Sequence, residues 1–252
     1  MNNRQKQLGQ NFLTNRSVSD KIVSFLETGT GKTVLEIGPG KGILTESLLK
    51  KGFNVVVIEI DNGLIPLLNE KFKKKIVVIN DDVLKVNLNT ILTKYNIDMI
   101  ISNLPYSIST AIMKKFIKEK VNFQQGVFMF QKEVAEKIRA KEKSRNVGAL
   151  SVLLQHSFKI NKKLTVKPGS FNPPPKIDSE VLLFDAIAEP VDYYEKEFVE
   201  FVYQLFSQRR KKIKRKIPNI LKDDLFIVSL LEKRVEEVSF EEIEMLYKVF
   251  KG

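Results

Sequence analysis

Four consecutive residues, Asn103-Leu104-Pro105-Tyr106, carry groups suited to chemistry on an aromatic amine. The exocyclic amine of adenine is a poor nucleophile because its lone pair is delocalised into the ring. Acceptors facing both N–H bonds favour a pyramidal nitrogen and offset the positive charge that grows during methyl transfer. The Asn103 side-chain oxygen supplies one acceptor. Pro105 restricts Leu104 to an extended conformation, so the Leu104 carbonyl can point into the site as a second. Tyr106 can stack on the base, the usual grip on an extruded nucleobase. A sulfonium methyl donor carries its own activation, so no general base is required. Taken alone, Asn-x-Pro also reads as a turn.

Such chemistry needs a donor site, and three further features could form one. Gly38-Pro39-Gly40-Lys41-Gly42 lets the backbone turn sharply and lets a ligand approach it closely. It departs from the dinucleotide fingerprint G-x-G-x-x-G because position 43 is Ile, and it lacks the Gly-Lys-Ser/Thr of a P-loop. Glu59 follows at a distance where an acidic side chain accepts hydrogen bonds from a ribose diol. Asp82, in Asn80-Asp81-Asp82, is placed to meet the amino group of an adenine, although a turn or helix cap explains it equally well. Nucleoside binding without a pyrophosphate site points to S-adenosylmethionine.

The elements that must position these residues are legible as a pattern. Thr33–Gly38, Asn54–Ile60, Ile76–Asn80, Met99–Ser102 and Val127–Phe130 are short, β-branched and nearly continuous in apolar character, as in a parallel sheet covered on both faces. Helical spacing intervenes at Ile43–Lys50 and Ser107–Lys118. This alternation predicts a doubly wound, mainly parallel α/β fold, with the three candidate loops at the carboxyl ends of adjacent strands. A last strand at Val181–Phe184 and a short stretch with Pro190 precede a segment that reads as all helical. That segment runs as one helix over Tyr193–Ile217, stopped by Pro218, with a final helix opened by the capping box Ser239-Phe-Glu-Glu242. The expected division is a catalytic domain over residues 1–187 and a small helical domain over 188–252.

Composition narrows the partner. The 252 residues contain no cysteine, which excludes disulfides, a thiolate nucleophile and a cysteine zinc site, and the formal net charge is +12. Met1–Gln10 is polar and basic, and no apolar run approaches the length of a membrane span, so the expectation is a soluble, cytoplasmic protein. The charge points to nucleic acid. Arg209, Arg210, Lys211, Lys212, Lys214, Arg215 and Lys216 form a basic run with no acid at i±4 inside it, which is read as a phosphate-binding surface; a solvated helical face is the bland alternative. His156, the only histidine, lies in an apolar helical stretch and reads as structural.

The chain resembles the ribosomal RNA adenine N6-dimethyltransferases, and within them the small-subunit branch whose loss confers kasugamycin resistance. The resemblance covers nearly the whole chain: Leu8-Gly-Gln-Asn-Phe-Leu13, Leu35-Glu-Ile-Gly-Pro-Gly-Lys-Gly42, Val57-Ile-Glu-Ile-Asp61, Asn103-Leu-Pro-Tyr-Ser-Ile-Ser-Thr110, Phe130-Gln-Lys-Glu-Val-Ala-Glu136, Phe171-Asn-Pro-Pro-Pro-Lys-Ile-Asp-Ser179 and Phe206-Ser-Gln-Arg-Arg-Lys211. It implies S-adenosylmethionine contacts from Asn11, Leu13, Gly38, Glu59, Asp82 and Asn103, and it implies that Phe171 closes over the target adenine opposite Tyr106. A core phenylalanine beside a proline loop is the plainer account of Phe171. The implied partner is small-subunit ribosomal RNA, with no metal, no membrane and a monomer as the default. Two alternatives stay open: a large-subunit methylase of the erythromycin-resistance type, and a non-catalytic nucleic-acid-binding factor on the same scaffold.

Overall fold

The structure, a computed structural model, describes residues 11–27, 31–187, 195–217 and 225–251. In chain order its elements are β1 (Phe12–Leu13), α1 (Arg16–Val23), β2 (Thr33–Ile37), α2 (Ile43–Lys50), β3 (Asn54–Glu59), α3 (Ile65–Phe72), β4 (Ile76–Asn80), α4 (Leu88–Tyr95), β5 (Ile97–Asn103), α5 (Ser109–Lys118), β6 (Gln125–Gln131), α6 (Lys132–Ile138), α7 (Ala149–Ser157), β7 (Phe158–Val166), β8 (Phe171–Asn172), β9 (Ser179–Ala186), α8 (Lys196–Ser207), α9 (Leu225–Leu231) and α10 (Phe240–Lys251). The expected features at Leu8–Gln10, Pro190, Tyr193 and Pro218 lie outside the described residues.

Seven strands form one sheet in the order β4-β3-β2-β5-β6-β9-β7. The β2·β3, β3·β4, β2·β5 and β5·β6 pairs are parallel, and β9 is antiparallel to β6. Successive strands run outward from β2 in one direction and from β5 in the other, so the switch point lies between them, where open sheets hold ligands. The inner strands are buried along most of their length, as their Val, Ile and Phe content requires: β6 has Val127, Phe128, Met129 and Phe130 all at 1% exposure or less. Phe128 and Phe184 meet edge to face with centroids 5.1 Å apart, locking β6 to β9. Helix starts follow local chemistry: Asn15 and Asn87 accept hydrogen bonds from the Val18 and Thr90 N–H groups and cap α1 and α4.

The chain divides into two compact units, and the helical one includes a middle segment that the expected division at 187/188 leaves in the catalytic domain. One unit holds the residues up to Ala135 together with Lys159–Ala186; the other holds Glu136–Phe158 together with the chain from Ile187 onward. The helical unit thus recruits a segment from the middle of the sequence. Side chains of that segment serve the C-terminal helices: Glu142 accepts the Phe240 N–H at 2.9 Å at the start of α10, and His156 Nδ1 lies 3.2 Å from Glu244. Burial pushes the His156 pKa down to about 4, so the ring is a neutral donor in the core of this unit. A correction concerns the basic run. The helix expected to continue to Ile217 ends at Ser207; the chain then turns, bridges Lys212 to Arg234 and forms a 3₁₀ turn at Ile213–Arg215. No described helix is long and apolar enough to cross a membrane.

Candidate active site

At the switch point the catalytic-type loops line one open cavity, with about 1240 Å³ of space out to its mouth. Its floor is the glycine loop after β2. Gly38, Gly40 and Gly42 have φ of +68°, +57° and +77°, all in the left-handed region. A Cβ at Gly40 would lie 2.9 Å from the Phe12 ring, so only glycine lets the N-terminal segment close over the loop; in front of Gly38 there is open space. Glu59, 2% exposed at the end of β3, accepts the Gly40 N–H on Oε2 at 3.1 Å and the Asp61 N–H on Oε1 at 2.9 Å. Burial raises the Glu59 pKa, and the two N–H groups work against that rise. The carboxylate is therefore fixed before any ligand arrives, with lone pairs left for a diol. Asp82 lines the same cavity; its Oδ1 accepts the Leu84 N–H at 2.9 Å, so its loop is shaped by an Asx turn.

The opposite wall is built from the end of β5. Ser102 donates to the Ile37 carbonyl at 2.5 Å and stitches β5 to β2 just below the site. Asn103 donates its Nδ2 to the backbone carbonyl of Asn11 at 3.2 Å. That bond uses the donor side of the carboxamide, and Oδ1, with no partner among the described residues, offers the polarity an adenine amine needs. Leu104 is 1% exposed and anchors the loop, and the Pro105 carbonyl accepts the Ile108 N–H at 3.1 Å as α5 begins. Tyr106 lines the cavity, with its hydroxyl 2.5 Å from Ser179 Oγ.

The structure brings Asn11, Leu13, Gly38, Gly40, Glu59, Asp82, Asn103, Leu104, Pro105 and Tyr106 to one cavity. It does not bring Phe171 there. That ring is 4% exposed within the hydrophobic core, and Phe171 pairs with Leu13 across the short antiparallel β1·β8 ladder. In this structure its visible work is to hold the segment that carries Asn11 and Leu13. Sequence reasoning missed Glu36, 1% exposed on the cavity floor and hydrogen bonded to Thr45 Oγ1 at 2.5 Å. A signal for it stands in the sequence, since an acid inside an otherwise apolar strand is unusual unless it has a task.

A model of the family described as ribosomal RNA adenine dimethylase matches residues 1–251. The chain belongs to that family. It is 41% identical over 256 residues to ribosomal RNA small subunit methyltransferase A of Syntrophotalea carbinolica, covering 98% of this chain and 97% of that one. The protein of the same name in Geobacter sulfurreducens is 40% identical over 215 residues, 83% and 78% of the two chains. Among solved structures, a dimethyladenosine transferase from Plasmodium falciparum superposes with a TM-score of 0.80 at 24% identity over 93% and 95% of the chains. The 23S rRNA methyltransferase ErmE superposes with a TM-score of 0.72 at 23% identity over 96% and 100%. These two likenesses show the fold. The family uses S-adenosylmethionine, and the cavity fits it: a loop that only glycines can form, open space in front of Gly38, and a buried carboxylate held ready at Glu59.

In this adenine dimethylase the basic run is only partly free for a polyanion. Arg209 donates to the Val147 carbonyl and, at 2.9 Å, to that of Arg145, and lies 3.8 Å from Glu236. Lys212 and Lys214 share Glu232 at 2.9 and 2.7 Å, and their hydrogen bonds hold the Glu232 pKa down at about 2. Lys216 is 7% exposed and donates to the Leu205 carbonyl at 2.5 Å. Arg210, Lys211 and Arg215 are exposed, and their side chains have no ion pair or hydrogen bond among the described residues. The four engaged side chains are structural contacts of the helical unit. Their acids lie far along the chain, which is why none stands at i±4 within the run.

Proposed function

We propose that the chain transfers methyl groups from S-adenosylmethionine to the N6 amines of two adjacent adenosines near the 3′ end of small-subunit ribosomal RNA, two to each base. The observation that carries the proposal is the orientation of Asn103: its Nδ2 is engaged by Asn11, so Oδ1 is the atom offered to an amine beside a cavity built for a nucleoside. The curated relatives of matching length bear the name of the small-subunit enzyme, which supports that choice of RNA. The cofactor supplies an activated methyl group on a sulfonium. Glu59 would hold its ribose and Asp82 its adenine, while Gly38 and Gly40 let it lie against the backbone. Asn103 Oδ1 and the Leu104 carbonyl accept from the target amine and direct its lone pair along the line of transfer. Tyr106 grips the base by its π-face.

The test is mass mapping of ribosomal RNA after incubation of small and large subunits with the protein and labelled S-adenosylmethionine. Four methyl groups on one adjacent pair of adenosines in small-subunit RNA are the expected product; labelling of large-subunit RNA instead would overturn the assignment. Asn103→Ala should retain its fold by circular dichroism and lose about 10²–10³ in rate, the scale of removing one preorganised polar group.

A further inference from the structure

We propose that Ser179 is a positioning residue for Tyr106, fixing the axis along which that ring lies beside the target base. The proposal rests on Tyr106 as the stacking residue. Tyr106 follows a loop, and two bonds fix it. Ser109 Oγ donates to the Tyr106 carbonyl at 3.2 Å from the first turn of α5, which holds the backbone. The Ser179 hydroxyl, 2.5 Å from the phenol oxygen, holds the far end of the ring from a strand 73 residues away. With the backbone held at one end and the hydroxyl at the other, the long axis of the ring is fixed, so a base stacked on it is presented to Asn103 at one place.

Ser179 itself is a fixed point. It is fully buried, opens β9 and faces Gln131 in the antiparallel β6·β9 register. Its neighbours are held independently: the Asp178 carbonyl accepts the Lys132 N–H at 3.0 Å and its carboxylate pairs with Lys167 at 2.7 Å, while Glu180, also fully buried, pairs with Lys162 at 2.7 Å. A serine with no further task would be replaceable by any small residue at so enclosed a place. Here its hydroxyl reaches a cavity-lining tyrosine at a distance typical of a good O–H···O bond. Burial also raises the Tyr106 pKa, keeping the phenol neutral and able to share this bond.

Rate therefore depends on Ser179 through Tyr106, because catalysis is sensitive to the angle and distance of attack. With small ribosomal subunits lacking the modification as acceptor, full-length Ser179→Ala and Tyr106→Phe should each lower kcat by about threefold to tenfold, the equivalent of one neutral hydrogen bond. The double variant should be no slower than the slower single one. S-adenosylmethionine affinity by calorimetry and KM for the subunit should stay at wild-type values in all three. Rate losses that multiply in the double variant, or a Ser179→Ala enzyme as fast as wild type, would overturn the proposal. So would cofactor affinity falling in step with rate, since that marks a general loosening of the unit. Should Ser179→Ala fail to fold, Tyr106→Phe keeps Ser179 in place and must still show the kcat loss. Tyr106→Ala separates the two readings: if it is fully active the stacking role itself fails, whereas an impaired Tyr106→Ala beside an unimpaired Ser179→Ala removes only the role of Ser179.

Discussion

The cavity floor holds two buried carboxylates, and they differ in how they are used. Glu59 accepts two backbone N–H bonds, whereas the Glu36 side chain accepts from the Thr45 hydroxyl. Burial, with the nearby Glu59 charge, pushes the Glu36 pKa up to about 7 despite the Thr45 bond. An acid whose folded pKa lies above its unfolded value binds more protons when folded, so its contribution to stability is fully present below the ordinary carboxylate range. It is then lost as pH rises from about 4.5 towards 7. A shift of that size corresponds to roughly 3 kcal/mol. Glu36→Gln keeps an acceptor for Thr45 and removes the ionisation. Urea denaturation should find wild type losing stability between about pH 5 and about pH 8, while the variant loses much less and is the more stable protein at the upper end. An equal slope in both would place the titration on another group.

At the scale of elements, the glycine loop shows how a site constrains the fold that carries it. Gly42 starts α2 in the left-handed region, and a Cβ there would lie 2.4 Å from the ring of Phe72, which is 4% exposed at the end of α3. Left-handed strain and overpacking together make Gly42→Ala costly by about 2–3 kcal/mol. Gly169→Ala, which meets nothing within 4 Å, should be near neutral, and thermal melts of the two variants compare them directly. The strands that flank this loop were legible because β2, β3, β5 and β6 are covered on both faces along most of their length and their apolar runs have no other use. β7 was not: Phe158-Lys-Ile-Asn-Lys-Lys-Leu-Thr-Val166 sits at the sheet edge, half exposed, with lysines of the kind that blunt an edge strand. The β1·β8 ladder joins two residues near the start of the chain to two residues far along it, and no local pattern encodes that. Tyr106 and Asn103 were readable from residue chemistry, while their anchors, Ser179 and the Asn11 carbonyl, are properties of the folded chain. The helical reading of Arg209–Lys216 failed for a related reason, because spacing compatible with a helix does not choose between a helix and a turn that satisfies distant acids.

For the whole molecule, a net charge of +12 sets the long-range attraction to RNA, but only side chains left free can exchange counterions for phosphates. Within the basic run Arg210, Lys211 and Arg215 have no side-chain partner among the described residues, whereas Lys212 and Lys214 already neutralise Glu232 and Lys216 is buried. Extruding a base costs a few kcal/mol, and phosphate contacts remote from that base offset it without reading sequence. Replacing the three free side chains by Gln should weaken binding to small-subunit RNA and flatten the slope of log K against log salt by about 0.7–0.9 for each phosphate no longer neutralised. The control variant replaces Lys212, Lys214 and Glu232 together, which dissolves an exposed ion-pair cluster of little consequence for stability. It should keep a slope close to that of wild type, and neither set should change the affinity for S-adenosylmethionine, whose cavity is lined by residues 11–108. Titrations at several salt concentrations decide between the sets. If the control flattens the slope as much as the triple variant, the pairs with Glu232 open when RNA binds and the whole run is the phosphate surface; if neither does, the phosphates are met elsewhere on this basic protein.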